Sequence, residues 1–266
     1  IDSLQLDFDP FLEKYQKTSI PSKQPSLPIF ERGNLLKDLY FATMTEYSPS
    51  LVKAGAKVAI QPEVIDMPLG RVVSNAGLRQ LRITESEKER FVTYYFNGQR
   101  ENPFPGENRV IIPSPKVATY DQQPEMSAKE LAQTLLNRLK SLEYSFILAN
   151  FPNPDMVGHT GSIGPAVKAC EVVDECIGKI ANFVLAYGGT LLLTADHGNV
   201  EEMINAQTGE IDTQHSSNPV PFIALSKKFL GYPRVLPTGI LADVAPTVLG
   251  LLSLTKPSSM TGRDLL

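Results

Sequence analysis

The sequence predicts an α/β fold, a sheet covered by helices on both faces. Three observations predict it. From about residue 70 onward, short apolar or β-branched runs alternate with stretches of helical periodicity, the pattern of layered sheet-and-helix domains. The stretch 163–186 carries Val167, Cys170, Val173, Ile177, Ile180 and Val184 at helical spacing. The apolar runs 145–149 and 190–193 each lead into a short segment rich in Asp, Asn and His. In an open α/β sheet, strand ends feed a common ligand crevice in this way.

Taken in order, residues 7–15 are expected to hold a short helix, and 21–28, with three prolines, a loop. Strands are predicted over 40–45 and 57–60, then a helix over 68–80 closed by Gly77. A short strand over 81–83 and a helix start at 85–90 follow. Residues 92–96, Val-Thr-Tyr-Tyr-Phe, read as a strand turned by Asn97-Gly98. A strand at 110–112 lies between two proline-rich loops. Ser127 and Glu130 predict a capping box that opens a helix to about Leu142, with Leu131, Leu135, Leu139 and Leu142 on one stripe. A strand at 145–150 and the long helix 163–186, ended by Gly188-Gly189, come next. Strands at 190–195 and 220–225 and a helix over 243–252 complete the chain. Residues 1–65 are expected to stand apart from a domain spanning 66–266.

Composition narrows the function. Of 266 residues, 42% are hydrophobic and 20% charged, the balance of an ordinary soluble globular chain. The net charge of −4, without a basic cluster, argues against a nucleic-acid partner. No apolar run approaches the roughly 18 residues that would span a bilayer. Cys170 and Cys176 lie six apart on a predicted helix, aimed at different faces, so a reducing, cytoplasmic setting is the simplest reading. There is no Cys-x-x-Cys, so a metal site here would use nitrogen and oxygen ligands. Walker, Gly-x-Gly-x-x-Gly and Gly-x-Ser-x-Gly motifs are absent from the sequence. Ser216 and Ser217 read as loop hydroxyls rather than nucleophiles.

The three histidines carry the chemistry. In Asn153-Pro-Asp-Met-Val-Gly-His159, Asn153 is expected to cap a helix with Pro154 in its first turn. Asp155 and His159, four residues apart, then share one helix face. His197 sits in Thr194-Ala-Asp-His-Gly-Asn199, and His215 in Thr213-Gln-His-Ser-Ser-Asn-Pro219. Asp155, His159 and His215 would make one mixed site, with Asp196 and His197 contributing to a second. Five such ligands suit two cations about 3.5–4 Å apart, the arrangement used in phosphate-ester chemistry. Imidazole with carboxylate fits Mn²⁺ or Zn²⁺, and Mg²⁺ less well.

These motifs resemble those of a known family. The three histidine segments, together with Thr43-Met-Thr-Glu-Tyr47, Phe96-Asn-Gly98, Pro103-Phe-Pro-Gly-Glu107, the loop 113–121, Pro124-Glu-Met-Ser-Ala128 and Met260-Thr-Gly-Arg263, are similar to the C-terminal motifs of cofactor-independent (2,3-bisphosphoglycerate-independent) phosphoglycerate mutases. These mutases belong to the alkaline phosphatase superfamily. The likeness runs from about residue 40 to the C-terminus. It implies an alkaline-phosphatase-like three-layer α/β/α sandwich with a mostly parallel sheet, lacking its N-terminal part. It implies two Mn²⁺ ions, with Zn²⁺ or Mg²⁺ as alternatives. Asp155, His159 and His215 match the ligands of one ion, and Asp196 and His197 two ligands of the other, whose site is incomplete in this sequence. Lys88 matches a lysine that holds the phosphoryl group. The implied reaction interconverts 3-phosphoglycerate and 2-phosphoglycerate in glycolysis through a phosphoserine, in a cytoplasmic enzyme that is monomeric at full length.

The sequence also departs from the family pattern. The family's nucleophilic serine, a further metal-binding aspartate and a tryptophan motif lie toward its N-terminus, and this chain has no Trp. Residues 1–65 resemble the tail of the phosphotransferase domain. With Ile1 in first position, the expectation is a C-terminal portion that is inactive alone. After Lys88, the family's Lys-Tyr-x-His-Val-Thr is replaced by Glu89, Arg90 and Phe91 before Val92-Thr93. Two alternatives stand beside the mutase: a metal-dependent phosphohydrolase using metal-bound hydroxide, and a non-catalytic truncated homologue.

Overall fold

The computed structural model describes residues 39–231 and 235–266. The helix and loop expected at 7–15 and 21–28 lie outside the described residues. The chain divides into two compact units, Ile1–Glu63 and Val64–Leu266.

In the first unit, β1 (Ala42–Thr43) and β2 (Lys57–Val58) pair in parallel, joined by α1 (Pro49–Lys53). The Ser48 hydroxyl caps α1 by accepting the Ser50 N–H at 3.1 Å, and Pro49 fills the first turn, where its missing N–H costs nothing. Both strands are shorter than predicted. Tyr40, Met44 and Ile60 at their ends are exposed, so longer pairing would bury little apolar surface.

The second unit is organised on β3 (Gln80–Glu85). It lies between β4 (Glu107–Ile112) and β5 (Phe146–Ala149), all three parallel. All six β3 residues are buried, and alternation gives them two different environments. Leu81 and Ile83 pack with Leu131, Ala132 and Leu135 of α3 (Ala128–Leu139) and with Val172, Cys176 and Ile180 of α5 (Ile163–Ala186). Gln80, Arg82 and Thr84 alternate with them. Gln80 donates to the Gly70 carbonyl at 2.7 Å and accepts from Arg82 at 2.6 Å. The Arg82 guanidinium lies 4.6 Å from the Phe96 ring centre and 5.1 Å from that of Phe146. Burial lowers its pKa to about 10, against the pull of Glu107. The two aromatic faces offset part of its desolvation, at about 2 kcal/mol for a desolvated contact. Beside this layer, α2 (Leu69–Asn75) and α6 (Val244–Leu251) bury Leu69, Val72, Val73 and Leu249 with Phe96 and Phe146. Helices thus cover both faces of the parallel sheet, as predicted.

Several local expectations give way. Residues 92–96 are not a strand: Phe91–Tyr95 form a π-helix. Strand alternation would bury Val92, Tyr94 and Phe96 together. Instead Val92, Thr93 and Asn97 are buried, and Phe91 and Tyr95 are exposed. Thr93 donates its hydroxyl to the Glu89 carbonyl at 2.7 Å, and Asn97 donates to buried Glu107 at 2.7 Å, which fixes the wide turn over the β propensity of the side chains. The Ser127–Glu130 capping box does not form. Ser127 donates its hydroxyl to Pro113 O at 2.8 Å and its N–H to the Glu85 carboxylate at 3.1 Å, fastening the loop before α3. That helix stops at Leu139, and Leu142 is exposed at φ +53.

The buried stripe of α5 is rotated from the predicted one. Ala166, Ala169, Val172, Val173, Cys176 and Ile180 face inward, while Val167 is exposed. Both cysteines are free thiols. Finally, β6 (Thr190–Thr194) and β7 (Phe222–Ser226) form an antiparallel pair, apart from the parallel ladder.

Candidate metal centre

The centre is built where β5 and β6 end. After β5 the chain enters α4 (Asn153–Gly158). Asn153 does not cap this helix. Its buried amide donates to the carbonyls of Pro124 and Glu125 at 3.1 and 2.8 Å, and Pro152 takes the cap position. The predicted spacing holds regardless: Asp155 lies in the first turn and His159 follows the last helical residue, one turn on. Asp155 Oδ1 and His159 Nε2 are 3.1 Å apart.

His215 arrives from the loop before β7. Its Nε2 is 3.2 Å from Asp155 Oδ1 and 3.1 Å from His159 Nε2. Among the described residues, Asp155, His159 and His215 form a group that could hold a metal ion, with one ligand atom from each within 4.8 Å of the others.

The donor set fits a divalent cation. His159 Nδ1 lies 2.7 Å from the Thr213 carbonyl. A carbonyl only accepts, so Nδ1 carries the proton and Nε2 presents a lone pair to the centre. Three lone-pair atoms 3.1–3.2 Å apart repel one another unless a proton or a cation lies between them. Their spacing is close to the roughly 3.0 Å between neighbouring ligands of a six-coordinate ion with bonds of about 2.1 Å.

Asp155 is held from two further sides. Its Oδ2 accepts a short hydrogen bond from the Lys88 ammonium. Its Oδ1 accepts from Asn199 Nδ2 at 3.0 Å. Burial opposes ionisation of this carboxyl, but Lys88 and Asn199 together hold it below the ordinary carboxylate range. Lys88 is itself buried at the end of a single 3₁₀ turn, Ser86–Lys88, that leaves β3, and its Nζ lies 4.8 Å from the Phe91 ring centre. A cation thus sits on the second oxygen of the carboxylate that supplies one of the three ligand atoms.

The Asp196/His197 pair is placed differently. Asp196 is exposed, and its Oδ2 is 3.5 Å from His197 Nε2. The His197 ring stacks on His215 at 3.7 Å between centres and 19° between planes. It therefore meets the triad with its face rather than with a nitrogen. Sequence reasoning left Asn199 and Glu201 without roles. Glu201 accepts from the Asn199 N–H at 2.8 Å and takes a short hydrogen bond from the Ser216 hydroxyl. Asn199 follows Asp196-His197-Gly198 directly and Glu201 two residues later, but their roles depend on the His215 loop and the Asp155 helix meeting this turn.

Comparison with known proteins identifies the family. A model of the metalloenzyme superfamily matches residues 21–256, and the chain belongs to that superfamily. It is 52% identical over 237 residues to a 2,3-bisphosphoglycerate-independent phosphoglycerate mutase of Clostridium botulinum, covering 89% of this chain and 45% of that protein. It is 49% identical over 246 residues to the mutase of the same name from Chloroflexus aggregans, covering 91% of this chain and again 45% of the relative. A solved Leishmania mexicana phosphoglycerate mutase, determined at low cobalt concentration, superposes with a TM-score of 0.73 at 27% identity, over 84% of this chain and 43% of that one. The chain resembles the C-terminal portion of these mutases and has their alkaline-phosphatase-like fold. It spans a little under half the length of the curated relatives it matches. Among the described residues, no helix is long and apolar enough to cross a membrane.

Proposed function

We propose that this metalloenzyme-superfamily chain is the metal-binding half of a cofactor-independent phosphoglycerate mutase, an isomerase that moves a phosphoryl group between the 3- and 2-hydroxyls of glycerate. The observation that carries the reading is the convergence of Asp155 Oδ1, His159 Nε2 and His215 Nε2 beside the Lys88 ammonium. Asp155, His159 and His215 hold one divalent cation, and Asp196 and His197 contribute to a second. Nitrogen and oxygen donors suit Mn²⁺, with Zn²⁺ or Mg²⁺ able to replace it. Bound cations supply neutralisation of the phosphoryl oxygens.

The chain's own residues do the rest of the work on this side of the reaction. Lys88 donates to a phosphoryl oxygen from its buried position, and the Phe91 ring restricts where that ammonium points. Asn199 keeps Asp155 Oδ1 turned toward the histidines. His159 is kept in one tautomer by the Thr213 carbonyl. Residues 66–266 are the phosphatase-like domain and 1–65 the tail of a phosphotransferase domain. At full length the protein works as a cytoplasmic monomer on its small-molecule substrate.

The 45% coverage of the relatives supports a further reading: these 266 residues bind metal and phosphate without turning over phosphoglycerate. The test is a coupled mutase assay run beside Mn²⁺ titration on the 266-residue chain. Metal binding without turnover is expected. Turnover at the rate of a full-length mutase would overturn the division of labour, and absence of metal binding would overturn the site.

A further inference from the structure

We infer that Glu201 is a positioning residue that locks His215 into the metal centre, and that the inference rests on the metal-binding reading above. Three segments carry the candidate ligands: α4 with Asp155 and His159, the turn with Asp196 and His197, and the loop with His215. Glu201 touches none of the ligand atoms, yet it ties these segments together. Its Oε2 accepts the Asn199 N–H at 2.8 Å, and the same Asn199 donates its amide to Asp155 Oδ1 at 3.0 Å. Its Oε1 accepts the Ser216 hydroxyl, next in sequence to His215, and Asn218 Nδ2 at 3.3 Å. One carboxylate therefore holds the His215 loop, the His197 turn and, through Asn199, the Asp155 helix in a single hydrogen-bonded chain.

The backbone is cleared for this chain in two places. A Cβ on Gly198 would run into both Glu201 Oε1 and Ser216 Oγ. A Cβ on Gly158 would run into the Asn199 amide. Gly198 also bridges Ser216 in antiparallel fashion, with the Ser216 N–H donating to the Gly198 carbonyl at 3.0 Å. The glycines in the two histidine segments thus admit the clamp, and His215 depends on it more than its partners do. His159 has its own anchor at Thr213, whereas the nearest fixed points for His215 are Ser216 and the stacked His197 ring. Outer hydrogen bonds that orient metal ligands commonly set affinity by 10- to 100-fold.

The test uses Co²⁺ titration of the full chain, read by visible absorption, with thermal melting in chelator as a check on folding. Glu201→Ala is expected to weaken Co²⁺ binding by about tenfold or more and to change the absorption band, since His215 no longer approaches the ion. Glu201→Gln, which keeps one acceptor, falls between the two, and Ser216→Ala reproduces the altered band. Metal-free melting temperatures stay close to wild type. Should Glu201→Ala not fold, Ser216→Ala and Glu201→Gln decide the matter alone. Wild-type Co²⁺ affinity and spectrum in the folded variants would overturn the role of Glu201 while leaving the metal site intact. A wild-type chain that takes up no Co²⁺ would overturn the metal reading and this inference with it.

Discussion

The two candidate ligand sets differ in how they are held, although each draws on a segment just past a strand end. Asp155 and His159 share one short helix, and His215 reaches them with its Nε2 3.1–3.2 Å from both ligand atoms. Each of the three has a neighbour that fixes it: Asn199 on Asp155, Thr213 on His159, and the Ser216–Glu201 contact beside His215. Asp196 and His197 are adjacent in sequence, meet only at 3.5 Å, and one of them is exposed. The contrast teaches that ligand identity is not what prepares a site. Preparation comes from groups that touch no ion and spend hydrogen bonds on the ligands' orientation.

The sharpest way to break this comparison is to remove one ligand from each set. His159→Ala should lower Mn²⁺ affinity of the first site by at least about 100-fold in calorimetric titration, because two donors remain on a face built for three. Asp196→Asn should leave that first binding event within about threefold of wild type. Equal losses in both variants would show that the two sets form one interdependent site.

A smaller effect is expected at Lys88. Lys88→Met should weaken inorganic phosphate binding to the Mn²⁺-loaded chain by roughly tenfold, the loss of one charge-assisted hydrogen bond. Mn²⁺ affinity should not fall, because a neighbouring positive charge has been removed. A fall in metal affinity instead would make Lys88 a support for Asp155 rather than a phosphate group holder.

A separate effect concerns the scaffold beneath both sets. Glu85 closes β3 in full burial, accepting the Ser127 N–H, and burial raises its pKa to about 7. The native state therefore keeps a proton that the unfolded chain releases above its ordinary pKa of about 4.5. Stability falls as pH rises from that value to about 7, by on the order of 1–3 kcal/mol. Glu85→Gln should remove this slope: in urea unfolding the variant gains on wild type at pH 8 and loses that advantage at pH 5. The ratio of the two sets' metal affinities should not change. A wild-type stability that stays level between pH 5 and 8 would contradict the buried neutral carboxyl.

How legible the molecule was in its sequence follows the same division. The long helix was readable to its last residue because it carries a sustained period and ends in Gly188-Gly189. The Asp155–His159 pairing was readable because spacing on one helix is a local property. The π-helix at Phe91–Tyr95 was not, because its side chains favour strands, and the deciding contact, Asn97 with Glu107, comes from β4. The Ser127 cap failed for a similar reason: the side chain is claimed by Pro113, fourteen residues away. The antiparallel β6–β7 pair and the supporting pair Asn199 and Glu201 depend on which segments meet, and hydropathy does not record that.

The central claim is that Asp155, His159 and His215 are prepared within this chain to take one divalent ion. Calorimetric Mn²⁺ titration of the 266-residue chain and of its His215→Ala variant tests it most directly. One ion bound by wild type, and lost in the variant, is the predicted result. No ion in the wild type, or equal binding in both, would contradict it.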